Sequence, residues 1–287
     1  MLKPSLSIII LTYNEEKNIE ACLESILDLD CSIFIIDSGS TDRTLSILEK
    51  YPVQVFHHPF KNYGAQRNWA FENLPIQTEW ILNMDADHRM TPELSNALIE
   101  LFSFPIPEQT KGFLISRRTI FLGKWMKHGG HYPVYHAILF RKEFGFCEDK
   151  LYDQHFVVNG HCETLKADMI DTLTDSLSSF TERHNRWSTL EAEDQFLGYA
   201  NARKGQLVKA DVRGNAQQRR RYAKSVYEKF PLFIRPFIYF FIRYILKLGF
   251  LDGFRGLIFH FLQGFWFRFL VDAKIYELKE SKVKSKK

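Results

Sequence analysis

Trp80-Ile81-Leu82-Asn83-Met84-Asp85-Ala86-Asp87-His88-Arg89, WILNMDADHR in one-letter code, is the stretch that decides the fold class of this chain. A mostly apolar run of this length reads as a buried strand. Its end carries two aspartates one residue apart. Two carboxylates at a strand end repel each other and cost desolvation energy unless a cation sits between them. A solvated turn after the strand is one account of the pair, and a divalent-cation site is the other. The choice depends on what the other strand ends bring to the same edge.

Working outward, residues 5–11 (SLSIIIL) read as a first buried strand and residues 32–36 (SIFII) as a second. Residues 53–56 read as a short third strand and 79–84 as the fourth. Between them, residues 15–27 have Ile19, Leu23, Ile26 and Leu27 at helical spacing, and residues 42–50 and 64–73 also read as helices. Ser40 or Thr41 is suited to cap the second of these. Thr91 followed by Pro92 opens another, with threonine as N-cap and proline at the first helical position. Strand and helix alternate at short intervals through the first hundred residues, which predicts α/β architecture: a mostly parallel, doubly wound sheet that takes ligands at the carboxyl ends of its strands. The polar clusters fall at those ends. Thr12-Tyr13-Asn14-Glu15 follows strand one, Asp37-Ser38-Gly39-Ser40 strand two, and Asp85-Ala86-Asp87 strand four. Three strand ends at one crevice favour the cation site over the turn. There is no GxGxxG and no GxxxxGK[ST], so a dinucleotide fingerprint or a P-loop is unsupported.

The bulk composition agrees with an enzyme-sized globular chain. It has 287 residues, 45% hydrophobic and 25% charged, which excludes a disordered protein. Cys22, Cys31, Cys147 and Cys162 show no metal-binding or redox spacing, so reduced thiols are expected. The N-terminal MLKPSLSIIILTYNEE has too short an apolar core for a signal peptide and is read as strand one. Charge is uneven. Residues 219–287 hold 16 Lys+Arg against 5 Asp+Glu, a net +11, and the rest of the chain is net −7. A basic tail of this kind suits an anionic partner, membrane or nucleic acid.

SIIILTYNEEKNIEACLESI, IIDSGSTDRT, YGAQRNWA and WILNMDADHRMTPEL, in that order and spacing, resemble the motifs of a family 2 glycosyltransferase of the GT-A fold. HGGHYPVYHAILFRK, LYDQHFVVNG and RHNRWSTLEAED are similar to the bacterial branch that builds lipopolysaccharide cores and exopolysaccharides, and the resemblance spans about residues 5–200. It implies an inverting, metal-dependent hexosyltransferase using a nucleotide diphosphate sugar, with UDP-glucose as a representative donor, and a lipid-linked glycan acceptor. Asp87 would ligate Mg²⁺ or Mn²⁺, and Asp85 would hold the ribose or share the metal. Thr12, Tyr13, Asn14, Glu15, Ser38 and Ala86 would line the nucleotide. Asp37 would accept from a uracil-like N–H unless it is a plain turn aspartate. Arg67 would reach the diphosphate unless it is a surface helix arginine.

The base that deprotonates the acceptor would be an acidic residue after the metal site. CEDKLYDQHF offers Asp153, whose distance from Gly160 suits the family, and the Glu148-Asp149 pair, which lies several residues early. Arg186 and Trp187 would contact acceptor sugar or diphosphate unless their helix is merely packed. His128, His131 and His136 match no zinc spacing, and the HGGH stretch reads as a glycine-hinged loop over donor or acceptor.

From Phe230 the chain turns aromatic and basic. Its longest charge-free run is residues 256–267, 12 residues, against the roughly 18–20 that a span needs. Ile234, Phe237, Ile238, Phe241, Ile242 and Ile245 fall on one helical face, with Arg235, Tyr239, Arg243 and Lys247 on another. Two amphipathic helices with cationic edges predict an interfacial anchor on the inner face of the cell membrane. Packing on the catalytic domain or a homodimer seam are the alternatives, and no nucleic-acid module accompanies the basic run. The expected organisation is a catalytic domain over residues 1–215, with a nucleotide-binding half (1–110) and an acceptor half (111–215). Helices over 216–287 follow, with a disordered tail from about 279. Two functional alternatives stay open: a polyprenyl-phosphate sugar synthase, and a catalytically inactive membrane-associated binding protein.

Overall fold

Leu6–Thr12 (β1) is buried along its whole length, as expected for a strand of β-branched and apolar residues covered on both faces. The computed structural model describes residues 5–174, 176–197 and 207–284. The described residues fall into two compact units, one within 1–117, 135–148 and 155–172, the other within 118–134, 149–154 and 173–287.

The first unit alternates strand and helix as expected. After β1 come α1 (Ile19–Glu24), β2 (Ser32–Asp37), α2 (Thr44–Leu48), β3 (Gln54–His57), α3 (Tyr63–Asn73), β4 (Trp80–Asp85), β5 (His88–Met90) and α4 (Pro92–Phe102). Then follow β6 (Thr110–Phe121), β7 (Lys124–Trp125), β8 (Tyr135–Arg141), β9 (Gly145–Cys147), β10 (Phe156–Val158) and β11 (His161–Thr174). The sheet runs β3-β2-β1-β4-β8-β6-β11-β5. β3-β2-β1-β4 is parallel; β8 pairs antiparallel with β4 and with β6, and β5 with β11. The expected parallel arrangement holds for these four strands, and the antiparallel partners beyond β4 make the whole sheet a mixed one.

Alternation along β1 explains the double winding. Ile8 and Ile10 face a core with Ile19, Cys22 and Leu23 of α1. Ile9 and Leu11 face the opposite core with Ala70 and Phe71 of α3. Thr91 caps α4 by accepting from the Leu94 N–H, with Pro92 in the first turn, as the sequence predicts. The expected Ser40 or Thr41 cap of α2 is not formed: the N-cap position is Arg43, without a side-chain bond. Both hydroxyl residues are instead drawn to Asn14. The Asn68 side chain pairs with both backbone groups of Cys147 (2.9 and 2.8 Å), which docks α3 on β9. A Cβ on Gly64 would lie 2.2 Å from the Glu148 carbonyl oxygen, so this approach needs glycine.

In the second unit, α5 (Leu177–Leu197), α6 (Ala216–Glu228), α7 (Arg235–Phe241), α8 (Gly253–Phe259) and α9 (Phe267–Lys284) dominate. π-helical turns over Ile242–Leu246 and His260–Trp266 extend α7 and α8. Ala192 of α5 packs with Phe267, Val271 and Ile275 of α9 in one core. This shared core is why the units do not part at the expected 215/216 boundary. Helix α9 continues to Lys284, so the stretch from about 279 that reads as a disordered tail is helical to that point; residues 285–287 lie outside the described ones.

Candidate active site at the strand ends

β1, β2 and β4 end level. Thr12 is opposite Asp37, and Leu11 is opposite Asp85. The loops beyond are laced together by short polar contacts. The Ser38 N–H donates to the Thr12 carbonyl (3.1 Å) and the Asn14 N–H to Ser40 Oγ (2.9 Å). Thr41 N–H donates to Asn14 Oδ1 (2.8 Å), and Glu15 N–H to Thr44 Oγ1 (2.8 Å). Asn14 holds a left-handed φ of 55°, a conformation that asparagine tolerates better than most side chains. Asp37 is 2% exposed and closes its own turn, accepting from Gly39 N (2.8 Å), Ser40 N (2.9 Å) and Ser40 Oγ (2.5 Å). Gln66 of α3 bridges the β2 and β3 ends, donating to Ser38 Oγ (3.1 Å) and to the His58 carbonyl (2.9 Å). Tyr13 is exposed. Thr12 Oγ1 is buried with no hydrogen-bond partner among the described residues, a free polar group at the mouth of the strands.

Asp85 and Asp87 meet a built electrostatic setting. Arg67 is buried and donates from Nη2 to Asp85 Oδ1 (2.5 Å) and the Met84 carbonyl (2.6 Å), and from Nη1 to the Ile9 carbonyl (3.2 Å). This corrects the expectation that Arg67 reaches a diphosphate: its guanidinium is consumed inside the strand ends, holding Asp85. Burial pushes the Asp85 carboxyl upward, but Arg67, then His88 and Arg117, outweigh it and hold the group below the usual carboxylate range.

His88 comes next. Its Nδ1 accepts the Asp85 N–H at 3.0 Å, so the ring proton must sit on Nε2. That nitrogen lies 3.6 Å from Asp85 Oδ2 and 4.0 Å from Asp87 Oδ1. Burial first, and then Arg117, lower its pKa to about 4, which leaves it a neutral N–H donor at pH 7. Ligand atoms of Asp85, Asp87 and His88 all lie within 4.8 Å of one another. With Nε2 protonated, the two carboxylates are the members able to take a hard cation such as Mg²⁺ or Mn²⁺. The donor set fits such an ion: two oxygens, one already oriented by Arg67. Ala86 between them is buried, as a spacer that turns both carboxylates the same way.

The remaining candidates are placed as follows. Glu148 is fully buried and its Oε2 accepts from the His155 N–H (3.0 Å) in the β9–β10 hairpin. This structural use, away from solvent, overturns it as a candidate base. Asp149 is exposed. In the second unit, Asp153 has a left-handed φ of 56° and its Oδ2 lies 2.7 Å from Lys224 Nζ. Lys224 also reaches Glu191 Oε1 (3.1 Å), which in turn pairs with Arg268 (2.8 Å). Asp153 and Glu191 together outweigh the burial of Lys224 and raise its pKa. Trp187 packs against Tyr152 and His184 with ring centroids 5.8 and 4.9 Å apart, half-buried against the Ala192–Phe267 core and not standing as an open platform. Arg186 beside it is exposed. The HGGH stretch is pinned, not hinged: Asp252 accepts from His128 N (2.9 Å) and pairs with its Nδ1 (2.7 Å). Thr44, Gln66 and His88 were not singled out from the sequence, and Ser40 and Thr41 were noted as cap residues and not as partners of Asn14; the hydroxyl-rich SGST and the histidine abutting the aspartate pair were the available signals.

Together these features define a doubly wound α/β protein of the GT-A type, with a carboxylate pair at its central strand ends. The chain belongs to the glycosyl transferase family 2, whose family model matches residues 7–173, more than half its length. Among its relatives is the lipopolysaccharide core biosynthesis glycosyltransferase LpsC of Rhizobium meliloti (strain 1021), 32% identical over 126 residues, covering 42% of this chain and 45% of LpsC. Another is the SPbeta prophage-derived glycosyltransferase SunS of Bacillus subtilis (strain 168), 34% identical over 143 residues, covering 44% of this chain and 33% of SunS. The matched stretch thus spans less than half the length of either relative. Of solved structures, S. aureus TarS 1-349 overlays 96% of this chain and 91% of its own at 14% identity and a TM-score of 0.38. At that score the overlay adds nothing to the family match.

Proposed function

We propose that the chain is an inverting hexosyltransferase that moves a sugar from a nucleotide diphosphate sugar, UDP-linked as in UDP-glucose, to a lipid-linked glycan acceptor. The single observation that carries this reading is the Asp85–Asp87 pair at the end of β4, with Arg67 and His88 built around it. The relationship to LpsC, a lipopolysaccharide core biosynthesis glycosyltransferase, supports lipopolysaccharide synthesis as the setting; exopolysaccharide synthesis is the other setting that the sequence motifs suggest, and the basic, aromatic C-terminal helices suggest work at the inner face of a cell membrane.

Asp87 and Oδ2 of Asp85 would hold Mg²⁺ or Mn²⁺, which when bound supplies Lewis-acid stabilisation of the departing diphosphate. The chain's own residues do the rest. Thr12, Tyr13, Asn14, Glu15 and Ser38 line the nucleotide, Thr12 offering its unsatisfied hydroxyl. Asp37 accepts the base N–H on the oxygen that otherwise holds only Ser40 Oγ. Arg67 and His88 keep Asp85 ionised and aimed. In the displacement, the acceptor oxygen forms its bond to the anomeric carbon on the face opposite the breaking bond to diphosphate, and the hydroxyl proton passes to a carboxylate base, the role that the motif order in the sequence gives to Asp153. Lys224 orients that carboxylate. The base assignment rests on the position of Asp153 in the motif order. Arg186 is the remaining candidate for an acceptor contact.

The test is thermal stabilisation of the full chain by UDP, GDP, CMP and their sugars, each with and without Mn²⁺. One nucleotide should raise the melting temperature in a metal-dependent way. No shift with any of them would leave an inactive binding protein as the better account. Full turnover in Asp153→Asn would replace the base with a phosphate acceptor, as in a polyprenyl-phosphate sugar synthase.

A further inference from the structure

The helical turns from Ile234 to about Leu246 are amphipathic, but inside out. In a helix packed on a water-soluble body, arginines face solvent and phenylalanines face the core. Here Arg235 is buried, its Nη2 2.5 Å from Asp272 Oδ1 and 3.0 Å from Gln195 Oε1. Arg243 is buried too, bonded to the Gly129 carbonyl (2.8 Å) and to the Tyr239 hydroxyl (2.5 Å). Arg235 and Arg243 of the stripe that the sequence suggests as a headgroup-facing edge therefore point inward, while Lys247 at its end stays exposed. Facing out are Ile234, Phe237, Phe241, Leu246, Leu251 and Phe254, each more than half exposed and Phe254 78% exposed. They occupy one continuous stretch of α7, its π-helical extension, the turn at Gly249–Asp252 and the start of α8. An apolar face this extensive marks a binding surface.

Two further facts select its occupant. Between residues 229 and 271 the sequence holds a single acidic residue, Asp252, and it is 2% exposed. The exposed charges of the stretch, Lys229, Lys247 and Arg255, are all cationic. A second copy of the chain on this face would bring cation against cation with no carboxylate to answer it, whereas a layer of lipid phosphates answers every one. Among the described residues, no helix is long and apolar enough to cross a membrane, so a leaflet would be met along its interface and not spanned.

We propose that residues 234–254 form a monotopic docking face for an anionic phospholipid leaflet, with the Leu246–Phe254 turn as the leading contact and Lys247 and Arg255 at the headgroups. The proposal rests on the reading that the chain works at a membrane surface, and names the surface that would do it. The test is co-sedimentation of the full chain with phosphatidylcholine vesicles, with and without phosphatidylglycerol, and sedimentation velocity without lipid. The chain should partition onto the phosphatidylglycerol vesicles, and added salt should weaken that binding. The Phe241→Ser/Phe254→Ser double variant, altered only at exposed positions, should bind at least about tenfold more weakly, because two aromatic rings no longer leave water on docking. Lys247→Gln and Arg255→Gln should each cost about fivefold, equivalent to the ~1 kcal/mol of one near-surface cation. Vesicle binding undiminished in all of these would overturn the face while leaving membrane association intact. No binding to any vesicle by the parent chain would overturn both. A lipid-free dimer that the double variant dissolves would give the face to a second copy instead.

Discussion

The two units handle buried charge in different ways. In the α/β unit, the central buried cation, Arg67, meets a carboxylate 18 residues away, and both are delivered by neighbouring elements of one sheet edge. In the helical unit, Arg235 reaches Asp272 across 37 residues, Lys224 reaches Asp153 across 71, and Arg268 reaches Glu191 across 77. The first pairing leaves part of its carboxylates open, with Asp85 a third and Asp87 a quarter exposed. The Arg235–Asp272 pairing closes on itself, with both side chains nearly inaccessible. Open charge at a strand end is available for chemistry. Closed charge between helices is structural, and a buried pair of that kind costs most when one partner is removed.

The sharpest way to break the comparison is to delete one acid from each unit. Asp87→Ala should lower turnover by about 10²–10³-fold or more, the scale on which charge-stabilising groups act, while leaving the melting temperature close to that of the parent. Near-normal turnover in a folded variant would remove the metal site. Asp272→Ala should do the reverse, costing about 3–5 kcal/mol of stability in urea or thermal unfolding because Arg235 is left buried without its carboxylate. A loss under about 1 kcal/mol, the range of a solvent-exposed pair, would mean that the two side chains are not closed in solution.

Acid sharpens the contrast, because the helical unit holds most of the buried neutral histidines. Burial lowers the pKa of His184 and of His260 to about 4, and burial with Arg243 nearby sets His131 well below its usual value; in the α/β unit His88 also lies at about 4. Unfolding returns each to about 6.5. Between those two values the unfolded chain binds more protons than the folded one, so stability must fall as pH drops from about 6.5 to about 4 and level off below. Each histidine contributes up to about 1.4 kcal/mol per pH unit over that window. A melting temperature that stays flat across it would show that these rings are solvated.

The smallest effect tests the donor role of His88. Gln at this position keeps an N–H near Nε2, so His88→Gln should lower Mn²⁺ affinity by less than about tenfold, the lower edge of what loss of an outer-shell partner costs. Calorimetric titration with Mn²⁺ alone reads this directly. A loss matching that of Asp87→Ala would make His88 a ligand.

Much of the α/β unit was legible from residue patterns because its logic is local. A strand's facing alternates every residue, so the run in β1 foretold two covered faces, and the polar residues that end β1, β2 and β4 had to share an edge once those strands were parallel neighbours. The later antiparallel strands were not foreseen, since an apolar run does not show the direction in which its strand will pair. Arg67 was misjudged for a related reason: helical spacing gives the face of a helix but not which strand end lies beneath it. The helical unit was misjudged more deeply. Its periodicity correctly separated Phe and Ile from Arg along α7, yet which stripe faces inward depends on Asp272, Gln195 and Gly129, none of which lies in that helix.

By itself, then, the sequence determined the α/β class, the family, the acid pair at the end of β4 and the amphipathic character of the C-terminal helices, because each is set by spacing within a few residues. Only the tertiary structure decided that Arg67 holds Asp85, that Glu148 is buried in a hairpin, that Trp187 packs against a core and that Arg235 and Arg243 turn inward. Each of those outcomes depends on a partner far along the chain, and burial of a charge is favourable only where such a partner arrives.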